Sequence, residues 1–198
     1  MVKNRKDEIL SAAYNLFITK GYDNTSVDEI IEKVNIAKGT FYYYFTSKEE
    51  MLAEVINKMI NEEIIEAKKV VLMPIPIEQK VVGIVTSLRP KSNELNIVEA
   101  LNNDNNIKMH MKYNKRIIDE ATIILKDVVL EGIDKGVFNC TNIEERIKLL
   151  LKMSNDTFDD NNFTNKDVEV YIDMVEKLLG ANPGTMNFIS TLIGGYNE

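Results

Sequence analysis

The sequence predicts an all-α fold, and three observations carry the prediction. Apolar side chains recur at three- and four-residue spacing along almost all of the 198 residues. Only 4 prolines interrupt them, and no segment alternates apolar and polar positions as a half-buried strand does. A hydrophobic fraction of 44% against 28% charged residues supplies a substantial core, in one domain or two small ones. The opening residues hold no apolar run, so no secretory leader is expected. No stretch approaches the roughly 18 apolar residues of a membrane span, so no membrane partner is expected. Cys140 is the single cysteine, which excludes an internal disulfide, fits a reducing cytoplasm and reads as a small packed hydrophobe.

The elements follow in order. A first helix is expected over Asn4–Lys20, with Ile9, Ala13, Leu16 and Phe17 on one face and Gly21 as its stop. Ser26 and Glu29 have the spacing of a capping box, and Val27, Ile30, Ile31 and Val34 make the buried face of a short second helix. Asn35 stands where a turn needs a left-handed residue. A third helix carries Lys38 to Phe45. Helix, short turn, helix, with another helix beneath, is the helix-turn-helix layout. Ser47 and Glu50 then repeat the capping-box spacing, and a long helix runs to about Val71, where Met73-Pro74-Ile75-Pro76 breaks it. Further helices are expected at about Glu78–Leu88, Asn93–Asn102, Ile107–Lys135, Ile143–Ser154 and Lys166–Leu179. Asp159–Asn162 is expected to separate the last two, and the tail from Met186 is left without an assignment.

The third helix holds the unusual chemistry, five consecutive aromatics at Phe41–Phe45. At 100° per residue, Ala37, Phe41, Tyr44 and Phe45 point inward together, while Gly39 and Tyr43 point nearly opposite, flanked by Thr40 and Tyr42. Outward aromatics are costly unless something docks on them. A mid-helix glycine costs about 1 kcal/mol against alanine, so Gly39 points to a close approach by another backbone. Net charge is −7, which argues against a nonspecific nucleic-acid coat, yet from Lys33 to Lys48 there are three lysines and no acid. These features suit a helix lying in a DNA major groove. Thr40 and the tyrosines have the chemistry for base edges, thymine methyls or phosphates. Lys48, in the first turn of the next helix, suits a phosphate, and so do the hydroxyl and backbone groups of Thr25 and Ser26.

From about Arg5 to Leu52 the chain resembles the DNA-binding domain of the TetR (tetracycline-repressor) family of bacterial transcription regulators. The resemblance rests on Ile9-Leu10, Ala13, Leu16-Phe17, Gly21-Tyr22, Thr25-Ser26, Ile30, Ile36, Lys38-Gly39-Thr40-Phe41-Tyr42, Phe45, Ser47-Lys48-Glu49 and Leu52. It implies that Lys38, Gly39, Thr40, Tyr42 and Tyr43 line the major groove and that Thr25, Ser26, Tyr44 and Lys48 hold phosphates. It further implies a DNA-binding domain over 1–47, and a larger helical domain over 48–198 that binds an effector and forms a homodimer through its last two helices. Three positions depart from the family pattern: Ala37 in place of a capping Ser or Thr, Asn35 in place of Gly, and Tyr44 in place of a frequent His.

Beyond residue 52 the sequence says less. Met59, Met109, His110, Tyr113 and Phe158 are candidates for an effector pocket. Ile143, Ile147, Leu150 and Leu151, with Val168, Tyr171, Ile172, Val175 and Leu178, are apolar faces expected at the dimer contact. A stripe of Lys108, Lys112, Lys115 and Arg116 reads either as an anion site or as a solvated face. His110 is the only histidine, and no nucleophile motif, phosphate loop or Cys/His cluster appears, so neither catalysis, a metal nor a cofactor is expected. The functional expectation is a cytoplasmic transcriptional repressor, released from a pseudo-palindromic double-stranded DNA operator by a small molecule. The alternative is a similar DNA-binding protein that responds to a protein partner.

Overall fold

The computed structural model describes residues 4–102, 106–158 and 163–194, and these form helices, turns and no strand. The helices are α1 (Arg5–Lys20), α2 (Val27–Val34), α3 (Lys38–Tyr44), α4 (Lys48–Val71), α5 (Ile77–Ser87), α6 (Leu95–Asn102), α7 (Ile107–Asp134), α8 (Ile143–Phe158), α9 (Asn165–Leu179) and α10 (Phe188–Gly194). The sequence reading is close on most of these. Two differences stand out. Asn93 lies in a 3-10 turn, Ser92–Glu94, that precedes α6, and Phe188–Gly194 of the unassigned tail forms α10. The expected break at Asp159–Asn162 lies outside the described residues. No helix among them is long and apolar enough to cross a membrane.

The contacts divide the chain into two compact units, whereas the sequence reading sets its boundary at 47/48, between α3 and α4. One comprises the residues up to Glu63 together with Arg89–Lys115; the other comprises Ile64–Leu88 and the residues from Arg116 onward. The reason is mechanical. α4 is one continuous 24-residue helix, and its first four turns bury Met51, Leu52, Val55, Ile56, Met59 and Ile60 within the first unit.

In the first unit, Ile9, Ala13 and Phe17 of α1, Ile30 of α2, and Phe41 and Phe45 at α3 are wholly buried. Each of the large ones is worth about 1.5–3 kcal/mol of burial. Phe17 meets Tyr22 edge-on at 5.3 Å, and Phe41 lies 5.8 Å from Phe45. The capping box of α2 is complete: the Ser26 hydroxyl accepts from the Glu29 amide at 3.1 Å, and the Ser26 amide donates to the Glu29 carboxylate at 2.8 Å. Asn35 is left-handed (φ 53°, ψ 60°) and closes α2 with its amide on Glu32. At α4 the expected box is altered. The Ser47 hydroxyl caps the Glu50 amide, but Glu50 returns its carboxylate to the Thr46 amide and hydroxyl, both at 2.6 Å.

In the second unit, α9 packs against α8 and α10. Gly180 ends α9 with φ 63°, and a Cβ there would stand 1.9 Å from the Asn139 carbonyl oxygen, so the position admits no side chain. Arg146 of α8 donates to the Leu178 carbonyl at 2.7 Å, satisfying an end of α9 that lacks an intrahelical donor.

Candidate nucleic-acid interface

α3 lies on the protein with Phe41 and Phe45 beneath it and its other side open. Tyr43 is 81% exposed and Tyr42 is 46% exposed, so the outward pair expected from helical angle is outward in the structure. Tyr44 is half-buried and stacks edge-on against Tyr43 at 4.9 Å, intermediate between the two faces. Lys38 and Gly39 are exposed and Thr40 is half-buried. A Cβ built on Gly39 meets nothing within 4 Å, so no packing inside the chain accounts for a glycine there. Ala37 starts the helix without a side-chain cap.

The cations around this face are held in distinct ways. The Lys38 ammonium lies 3.0 Å from the Asp28 carboxylate of α2, a hydrogen bond that raises its pKa. Both partners are mostly exposed, so solvent screens the pair and it yields readily to a phosphate. Lys48 is half-buried: its ammonium sits 4.1 Å from the centroid of the Tyr22 ring and 3.5 Å from the Asp23 carbonyl. Burial pulls its pKa down, while burial and the nearby Glu49 and Asp23 push the Tyr22 phenol up to about 12. The tyrosine therefore stays a neutral platform that aims the lysine. Sequence reasoning missed both Asp28 and this use of Tyr22; the Gly21-Tyr22 pair was the available signal.

Ser26 is exposed, and its hydroxyl oxygen accepts the capping bond from the Glu29 amide. Thr25 corrects the expectation. Its side chain is 1% exposed, its hydroxyl donates to the Gly21 carbonyl at 2.8 Å and its amide to the Tyr22 carbonyl at 3.1 Å. Both donors are spent inside the fold, closing the turn between α1 and α2.

Residues 9–55 match the model of the family described as bacterial regulatory proteins, tetR family. The chain carries a TetR-family N-terminal domain. Over 54 residues it is 43% identical to the HTH-type transcriptional regulator QacR of Staphylococcus aureus, and over 56 residues 41% identical to the biofilm operon negative regulator IcaR of Staphylococcus epidermidis. These matches span 27% and 28% of this chain and only 29% and 30% of those relatives, so they concern the first domain alone. Solved structures extend the likeness of fold. The ligand-free structure of RolR covers 93% of this chain and 95% of its own at a TM-score of 0.65 and 18% identity. The regulator FadR of Bacillus subtilis, solved with stearoyl-CoA, covers 87% and 96% at 0.59 and 19%. The TetR-like fold thus reaches well beyond the first domain, with little sequence identity.

The other expected sites fare differently. Met59 (2% exposed), Met109, His110 and Tyr113 fall in the first unit, and Phe158 in the second, where its ring meets Phe163 and Tyr171 edge-on at 4.9 Å each. A groove of about 290 Å³ in the first unit, lined by Asp7, Leu10, Ser11, Glu54, Asn57, Lys58 and Asn61, includes none of the five. The expected dimer residues are largely core. Ile147, Leu150, Leu151, Val168, Tyr171, Ile172 and Val175 are buried within the single chain, which removes them from any outer surface; Ile143 and Leu178 are half-buried. The apolar residues that α8 and α9 leave exposed are Leu149, Val170 and Met174. Lys108, Lys112 and Lys115 are exposed, as a solvated face would have them.

Proposed function

We propose that the protein is a DNA-binding transcriptional regulator of the TetR type, a repressor that inserts α3 into the major groove. The observation that carries the reading is the outer face of α3: Tyr42 and Tyr43 exposed, Gly39 open to a close backbone approach, and Phe41 and Phe45 fixing the helix from below. On this reading Tyr42, Tyr43 and Thr40 meet base edges, Lys38 exchanges Asp28 for a phosphate, and Lys48, Ser26 and Tyr44 take phosphates from the rim. The protein acts in the cytoplasm as a homodimer whose two recognition helices reach half-sites one helical turn apart or a multiple, which calls for a pseudo-palindromic operator. The dimer forms on the Leu149, Val170 and Met174 side of α8 and α9, and a small molecule bound to the helical region beyond α3 releases the DNA by favouring another geometry.

The test uses double-stranded DNA selected by the protein itself from a random pool. Tyr43→Ala should weaken binding to the selected sequence at least tenfold while leaving binding to unselected DNA within about twofold. Equal loss on both DNAs would remove base reading by α3. In light scattering at micromolar concentration the wild type should have twice the chain mass and Met174→Glu the single mass; a monomeric wild type would remove the dimer.

A further inference from the structure

The interior of the first unit contains a charge problem that the DNA interface does not use. Glu63, on α4, is 3% exposed, and neither of its carboxyl oxygens has a hydrogen-bond partner among the described residues. Its neighbour Glu94, the last residue of the 3-10 turn before α6, is 1% exposed but fully occupied. One of its oxygens accepts from the Tyr14 hydroxyl of α1 at 2.7 Å and the other from the Lys91 amide at 2.8 Å. The Lys91 ammonium is turned to Glu62, 3.7 Å away, where both side chains are substantially exposed. Burial and the Glu94 charge push the Glu63 carboxyl up to about 8, against a weaker opposing pull from Lys91 and with a further push from Glu62.

Among the described residues neither protonation state of Glu63 is satisfied. Ionised, it is a buried anion beside a second anion; neutral, it has a hydroxyl with no acceptor. Both oxygens together call for two donors and one positive charge. A guanidinium group has that form, a planar cation with parallel N–H groups spaced for a carboxylate. A metal ion fits less well: among the described residues no group of three His, Cys, Asp or Glu side chains is placed to hold one.

We propose that Glu63, with Glu94 beside it, is the anchor for a guanidinium-bearing small molecule. The proposal deepens the effector reading above by giving the effector a charge class, and rests on that reading only for its consequence at DNA. Binding exchanges a proton for the ligand: the neutral Glu63 carboxyl releases its proton to solvent, and the carboxylate pairs with the guanidinium. Tyr14 ties this cluster to α1, beside the Asn96 side chain that donates to the Ile18 carbonyl at 2.8 Å, so occupancy is felt by the helix that backs the DNA-binding elements.

The experiment titrates the full chain calorimetrically with N-benzylguanidinium and with its neutral counterpart, N-benzylurea. The cation should bind at least tenfold more tightly. Its affinity should rise roughly fifty-fold from pH 6 to pH 8 as the proton to be displaced becomes easier to lose, and Glu63→Gln should lose at least tenfold. Equal affinity for the two probes, an affinity independent of pH, or undiminished binding by a folded Glu63→Gln would each overturn the proposal. Should that variant not fold, the probe pair and the pH series on the wild type still decide. Release of DNA is read separately: binding without release would remove the effector reading and leave the site, whereas intact DNA binding with no cation binding would remove only the site.

Discussion

Replacing Glu63 by Gln should change how stability depends on pH, and the size follows from the carboxyl's surroundings. The folded protein holds this group's pKa at about 8, against an ordinary 4.5. Between those values the unfolded chain has lost the proton and the folded chain keeps it, so stability falls as pH rises. Below the lower value both states are protonated, and above the upper value both are ionised and the loss is complete. Each pH unit is worth about 1.4 kcal/mol, and the interval of some 3.5 units sums to about 5 kcal/mol at most, comparable to the whole stability of many domains. The other shifted acids act elsewhere. Glu29, held down to about 2 by Lys20 and the Ser26 amide, and Glu50 and Asp167, lowered by bonds from Thr46 and Thr164, lose their contribution only in acid. Urea unfolding followed by circular dichroism at pH 5.5, 6.5, 7.5 and 8.5 should therefore show the wild type weakening by about 1 kcal/mol per step. Glu63→Gln should be nearly flat and the more stable protein at pH 8.5. Parallel curves for the two proteins would refute the reasoning, because they would mean that Glu63 ionises inside the fold at no cost.

Gly39→Ala should leave stability unchanged or raise it by up to about 1 kcal/mol, since its Cβ meets nothing within 4 Å. Affinity for the selected DNA, measured by fluorescence anisotropy, should fall in the same variant. Lys48→Ala should weaken binding to selected and unselected DNA alike and reduce the log–log salt slope by about 0.9, the mark of one lost phosphate contact. Thr25→Val should lower the unfolding midpoint by the equivalent of about 1–2 kcal/mol, because it removes the bond to the Gly21 carbonyl, and should leave the salt slope unchanged. A reduced slope for Thr25→Val would restore that residue to the DNA contacts.

What the sequence disclosed and what it withheld divide along a physical line. Local rules decided the first domain: the Ser26–Glu29 box, the left-handed Asn35 and the sorting of Phe41–Phe45 by helical angle are each fixed within four residues of chain. The same sorting went wrong at α8 and α9, where periodicity located an apolar stripe but could not say what covers it. By period alone Ile147, Leu150, Val168 and Tyr171 look like a face for a second copy of the chain, and the protomer itself buries them. Thr25 failed for a related reason, since a hydroxyl at a helix start serves equally as a phosphate donor or as the clasp of the preceding turn. Glu63 is legible in the sequence as an oddity. It falls four residues after Met59, three after Ile60 and four before Ala67, squarely on the buried stripe of α4, where an acid has no place in an ordinary core. A charged residue that keeps step with an apolar stripe must either have its partner in the fold or find it outside, and the tyrosine, the lysine and the backbone amide nearby all go to Glu94 or Glu62. That distribution of donors, readable only from three separate segments of the chain, is what turns an odd letter in a helical pattern into a candidate binding site.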